Sequence, residues 1–275
     1  MPSIFDGLED IIDGFLHVDE TWEGKAPRYC HRATLKRLCA KNDSDVDGIG
    51  LVHALYDQIL SNWARSGGAN GLPSPENWRF EKRISFSEDN LRPETLLERT
   101  MAYVVDDDNW ANQVPVDSGL LGGRAHWVDL VFRVGTAFTL IELKYESNTP
   151  LSAAIQILSY GLVYAFARSH AEVLGVNLDR SPILQASEMH LRVLAPANFF
   201  AGYGSDLIWL SKFERAINIG VERFSRESSE PLPLMSFGFE AFPADFVWTP
   251  HTAREVTTQK EVLWAVHQRD QVFRT

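Results

Sequence analysis

Between His126 and Lys144 the chain reads His-Trp-Val-Asp-Leu-Val-Phe-Arg-Val-Gly-Thr-Ala-Phe-Thr-Leu-Ile-Glu-Leu-Lys, two apolar runs around Gly135-Thr136. A glycine at the first of two central positions suits a type II′ hairpin turn, whose twist matches that of its strands. With this pair at the tip, Val134 faces Ala137, and counting back equally along both strands places Asp129 opposite Glu142. Period-two alternation puts Lys144 on the face of Glu142, with Ile141 and Leu143 turned into a core. Neighbouring carboxylates on a sheet repel. Strands this apolar are covered on both faces, where charges are not left unpaired. A divalent cation would satisfy both acids; the plain alternative is a surface hairpin with ordinary solvated charges.

The flanking sequence gives the hairpin a setting. Asp129…Glu142-Leu143-Lys144 resembles the PD-(D/E)XK nuclease superfamily, and so does its setting over residues 93 to 196: Pro93–Val105 looks like the family's first helix, Trp110–Val116 like its first strand, Thr149–Arg168 like the helix after the ExK strand and Glu188–Ala195 like the closing strand, in αβββαβ order. The Pro-Asp of that name is replaced here by Val128-Asp129. The resemblance implies an α/β fold with a restriction-endonuclease-like core and a mixed sheet. It implies that Asp129, Glu142, the Leu143 carbonyl and the helical acid Glu98 hold Mg²⁺ or Mn²⁺, with Glu94, one turn earlier, the competitor of Glu98. Hard oxygen donors suit such ions, which lower the pKa of a bound water and neutralise phosphate charge. Lys144 would orient the water or stabilise the developing charge. The resemblance also brings Gln156 and Tyr160, four apart on one helix face, toward the site; the plain alternative for Gln156 is a surface residue.

The rest of the chain divides into a helical N-terminal region (1–75), the nuclease-like domain (76–250) and a C-terminal helix (251–275). Helices are expected over 3–16, 32–41, 46–65, 205–226 and 255–269. The Gly- and Pro-rich stretch 66–75 reads as a linker, 79–87 as an edge strand, and 234–248 as one or two strands. Trp127 is expected in the core and His126 as a structural hydrogen-bonder. Net charge is −11, which opposes avid non-specific binding to nucleic acid. The charge is uneven: residues 1–24 carry seven acids and no base, and 25–41 six bases and no acid. Within the basic stretch Arg28, Arg32 and Lys36 are spaced to share a helix face that would follow a phosphate backbone; the alternative is pairing with the acidic segment before it.

No GxSxG, GxxxxGK[ST] or HExxH occurs, which removes support for serine hydrolase, P-loop and zincin chemistry. Cys30 and Cys39 form no disulfide framework, which suits a reducing cytoplasm, and no run of eighteen apolar residues calls for a membrane. The expectation is a Mg²⁺-dependent nuclease with DNA as substrate, aided by a protein partner or a homodimer. The rival is a non-catalytic interaction protein that keeps the fold.

Overall fold

The hairpin organises the sheet. Strand β2 (Trp127–Val134) turns at Gly135-Thr136 into β3 (Ala137–Leu143), in the expected register from Val134↔Ala137 to Leu130↔Ile141. Gly135 has φ +61° whereas Thr136 does not enter the left-handed region, as a type II′ turn requires. The computed structural model describes residues 3–21, 27–41, 45–66, 73–86, 92–105, 107–121, 125–201 and 207–273. Lys25, most of the expected linker (67–72) and part of the turn before β2 (122–124) lie outside them.

The protein is α/β, with eight α-helices and a six-stranded mixed sheet among the described residues. Helix α4 (Pro93–Val104), β1 (Trp110–Pro115), the hairpin, α5 (Pro150–Ser169) and β4 (Glu188–Pro196) follow in the order expected. Beyond them come the short α6 (Ala197–Phe200), α7 (Leu207–Glu227), β5 (Leu234–Phe242), α8 (Val256–His267) and β6 (Asp270–Gln271). The sheet runs β1-β2-β3-β4-β5-β6, parallel at β3–β4 and β4–β5 and antiparallel elsewhere. Helices α5 and α7 make the long crossovers that parallel neighbours need. They cover one face together with α1 (Leu8–Phe15), α2 (Arg32–Lys41) and α3 (Gly48–Arg65). Helices α4 and α8 cover the other. The N-terminal helices do not stand apart, since Ile4, Leu8, Leu35, Leu55 and Ile59 share one core with α5 and α7.

Two expectations are corrected. Residues 79–86 form no strand: the Asn112 side chain takes over the pairing, accepting from Arg83 N (2.6 Å) and donating to Arg83 O (3.0 Å). Trp127 is 40% exposed instead of in the core. Alternation breaks at Gln113, which has φ +49°, and opposite it at Asp129. Val114 and Val128 consequently join the α5-side core although Asn112 and Leu130, two residues away, face α4. The flip leaves Trp127 outside. Helix α5 is long and apolar enough to cross a membrane by length and composition, but 89% of its apolar window is buried inside the protein.

Helices α3 and α7 cross in backbone contact: a Cβ on Gly220 would lie 2.4 Å from the Gly48 carbonyl oxygen. Gly220→Ala should therefore destabilise the fold by about 1–3 kcal/mol, as overpacking does. Gly14→Ala in α1, where a Cβ meets nothing within 4 Å, should instead stabilise it by roughly 0.4–1 kcal/mol. Urea midpoints of the two variants would show the opposite signs.

Candidate active site

Past Leu130↔Ile141 the two hairpin strands part, and the charged residues fill the fork. In place of a ladder partner, Leu143 N donates to Asp129 Oδ2 at 2.9 Å. Glu142 is 1% exposed, and its Oε1 lies 2.6 Å from Lys144 Nζ in an ion pair. Neither Glu142 oxygen has a hydrogen-bond partner in good geometry. Lys144 follows β3 directly and remains tied to the sheet, its N donating to Leu194 O at 2.9 Å. Its ammonium also lies 3.2 Å from Glu94 Oε1.

Both helical acids reach the site, in different ways. Pro93 opens α4 and puts Glu94 in its first turn, where its Oε2 accepts from Tyr145 N (3.2 Å) and Ser147 Oγ (2.8 Å). One turn on, Glu98 is 2% exposed and accepts from Asn112 Nδ2 (2.8 Å) and Gln113 Nε2 (2.7 Å). Two successive strand residues serve one carboxylate only because the left-handed φ of Gln113 turns both side chains toward α4. Sequence reasoning missed this amide pair. Its signal was two adjacent amides in the middle of an apolar strand, where burial obliges them to find partners.

The electrostatics follow from burial and crowding. Burial, then the charge of Asp129, pushes Glu98 up to about 8 against the opposing amide hydrogen bonds. Burial raises Asp129 to about 6, with Glu94 adding and Lys144 opposing. Glu142 is raised well above the usual carboxylate range by burial and by Asp129, again against Lys144. Burial alone would lower the Lys144 ammonium, but Glu142, Asp129 and Glu94 together hold it above its ordinary value. Like charges this close resist ionising together.

On the α5 side, Gln156 Nε2 donates to the Tyr160 hydroxyl at 3.1 Å. Tyr160 is buried, and its pKa is raised by burial and then by Glu142. Both residues line a cavity of about 550 Å³ bounded across from α5 by α1. His126 sits at the same cavity, held as expected by a structural hydrogen bond, Nδ1 to Asp117 Oδ2 at 2.8 Å. The basic segment does not form the expected face. Arg28 precedes α2 and is paired with Asp10 (2.5 Å) and Asp13 (2.8 Å) of α1, while Arg32 and Lys36 are exposed on α2, which packs against α7.

No protein-family model, curated protein or solved structure matches this chain. Among the described residues no three His, Cys, Asp or Glu side chains are grouped as a ligand set for a metal; the Lys144 ammonium stands between Glu142 and Glu94 instead. The donor chemistry nevertheless fits a hard cation: two crowded carboxylates, Asp129 and the buried Glu142, both raised by burial.

Because the three raised acids hold protons more tightly folded than unfolded, their contribution is largest below the ordinary carboxylate range. It is lost as pH rises through about 6 for Asp129 and about 8 for Glu98. Metal-free protein should lose stability from pH 4.5 to 8.5, by at most about 1.4 kcal/mol per pH unit for each group. Glu98→Gln should flatten that fall in urea midpoints measured across the range. An unchanged slope would show that Glu98 does not titrate there.

Proposed function

We propose that this chain is a metal-dependent nuclease with a restriction-endonuclease-like core, hydrolysing phosphodiester bonds in DNA. One observation carries the reading: Asp129, Glu142 and Lys144 meet in the fork of an αβββαβ core, where the buried Glu142 carboxylate is crowded by Asp129 and answered by the Lys144 ammonium. Asp129, Glu142 and the Leu143 carbonyl would hold Mg²⁺ or Mn²⁺. The ion, when bound, supplies Lewis acidity toward the phosphate and a water of lowered pKa.

The remaining groups position and neutralise. Lys144 is a buried ammonium held by two carboxylates; a phosphate in the fork offers it a third anionic partner. Glu94 fixes the turn after β3 through Tyr145 and Ser147. Glu98, braced by Asn112 and Gln113, keeps a further acid in the field of Asp129. Gln156 and Tyr160, on α5, line the neighbouring cavity, with Tyr160 in the field of Glu142. With net charge −11, the protein would need a partner protein, a homodimer or a local basic groove to meet DNA.

A second reading, a non-catalytic interaction protein, is favoured by the Lys144 contacts, which already neutralise the acids from within. Calorimetric titration with Mg²⁺ separates the two, since only the nuclease reading requires binding that Asp129→Ala abolishes. Under that reading Mg²⁺ or Mn²⁺ supports cleavage of an end-labelled oligonucleotide, and Ca²⁺ binds without turnover. Asp129→Ala or Glu142→Ala should remove metal binding and cleavage together, whereas Lys144→Ala should lower cleavage and spare much of the binding. Cleavage surviving both carboxylate changes would sink the mechanism.

A further inference from the structure

The cavity between α1 and α5 has a lining that a phosphate would avoid. Asp6, Glu9 and Asp10 border it, and its one cation among the described residues, Arg28, is committed to Asp10 and Asp13. What the lining does present is ring surface. Phe5 meets His126 edge-on at 4.8 Å and Tyr160 at 6.0 Å, and His126 and Tyr160 lie 6.3 Å apart. Beside the rings, Gln156 and Ser159 supply short polar groups on α5. Flat aromatic ligands stack on such rings whatever their identity, and carboxylates at the rim accept from exocyclic amines.

The volume, about 550 Å³, admits one flat heterocycle with its sugar. The rings are also braced. Asp117 fixes His126 through both its backbone N (2.7 Å) and Nδ1 (2.8 Å). The segment bearing Phe5 is anchored where Asn62 Nδ2 donates to Ile4 O (2.9 Å) and Asp6 O (2.8 Å). The cavity adjoins the fork: Tyr160 lines it and lies in the field of Glu142 and Asp129, and His126 immediately precedes β2, three residues before Asp129.

We propose that this cavity receives the base of one unpaired nucleotide of the strand being cut, so that the substrate is nucleic acid with single-stranded character and not intact duplex. This rests on the nuclease reading for the word "cut", and on the cavity alone for the base. A base inside a duplex cannot reach a pocket walled by α1 and α5 without leaving its stack, a cost that is smallest for strands already unpaired.

The test uses the full chain with Ca²⁺ present and a 12-nucleotide single strand carrying one 2-aminopurine, whose fluorescence falls when it stacks on aromatic rings. Quenching by the wild type and roughly tenfold weaker binding by Phe5→Leu, which keeps apolar bulk but removes the ring, is the expected result. Equal quenching by wild type and Phe5→Leu, at matched thermal stability, would overturn the proposal, as would no quenching at all. A parallel arm with 2-aminopurine riboside monophosphate distinguishes strand from free nucleotide: tighter binding of the strand is expected, and binding of the mononucleotide alone overturns the assignment to a strand. With Mg²⁺, single strands and bulged duplexes should be cut at least tenfold faster than perfect duplex. Faster cutting of perfect duplex would overturn the proposal and leave the nuclease reading intact. No cutting of any substrate, with Phe5-dependent quenching retained, would remove the nuclease reading and leave the base pocket.

Discussion

A buried ammonium holds the fork together. Lys144 is 4% exposed, and three elements converge on it: Glu142 from β3, Glu94 from the first turn of α4, and Leu194 of β4 through its backbone. An unpaired ammonium would not survive at that depth, and neither would the carboxylates around it. Breaking a buried pair by removing one partner typically costs about 3–5 kcal/mol, although the intact pair adds little over an apolar replacement. Maximal stability is therefore a poor explanation for these charges, and a chemical task is a better one.

The break in alternation at Gln113 and Asp129 is the second constraint, and it follows the same logic. A regular β1 would send Asn112 to α4 and Gln113 to α5, leaving Glu98 with one amide donor. The left-handed Gln113 backbone places both amides on Glu98 and sends Val114 and Val128 into the opposite core. Non-glycine residues in that region are costly and persist where surroundings impose them, often at functional sites. Here the surroundings are Arg79, whose guanidinium donates to the carbonyls of both Asn112 (3.3 Å) and Gln113 (2.6 Å).

What could be read from the sequence was what depends on local period. The hairpin register followed from one glycine and a count, and α2, α4, α5 and β4 began and ended within a residue or two of their apolar patterns. Their order around the fork followed as well. What could not be read was decided by partners distant in the chain. The amide braces on Glu98 need a backbone φ that no residue of β1 announces. Residues 79–86 look like a strand, yet a side-chain amide pairs with them before a backbone can. Arg28 was spaced as if on a helix face; three carboxylates of α1 took it instead. Strand β6, two residues long, carries too short a pattern to register.

The acidity of the chain and the proposed chemistry are less opposed than the net charge suggests. Around the fork stand Glu94, Glu98, Asp129 and Glu142 against one ammonium, but burial and the charge of Asp129 push Glu98 up to about 8, and Glu142 is raised in the same direction against Lys144. The fork thus stores a proton at Glu98 where its formal charge shows a carboxylate. A cation entering would compete with protons on the raised acids, so its binding would strengthen with pH, as metal sites built on protonatable ligands do. Net charge then reports the surface and not the site: the acids of α1 are spent on Arg28 and on the rim of the cavity, and an anionic strand would meet a fork whose acids Lys144 already answers in part.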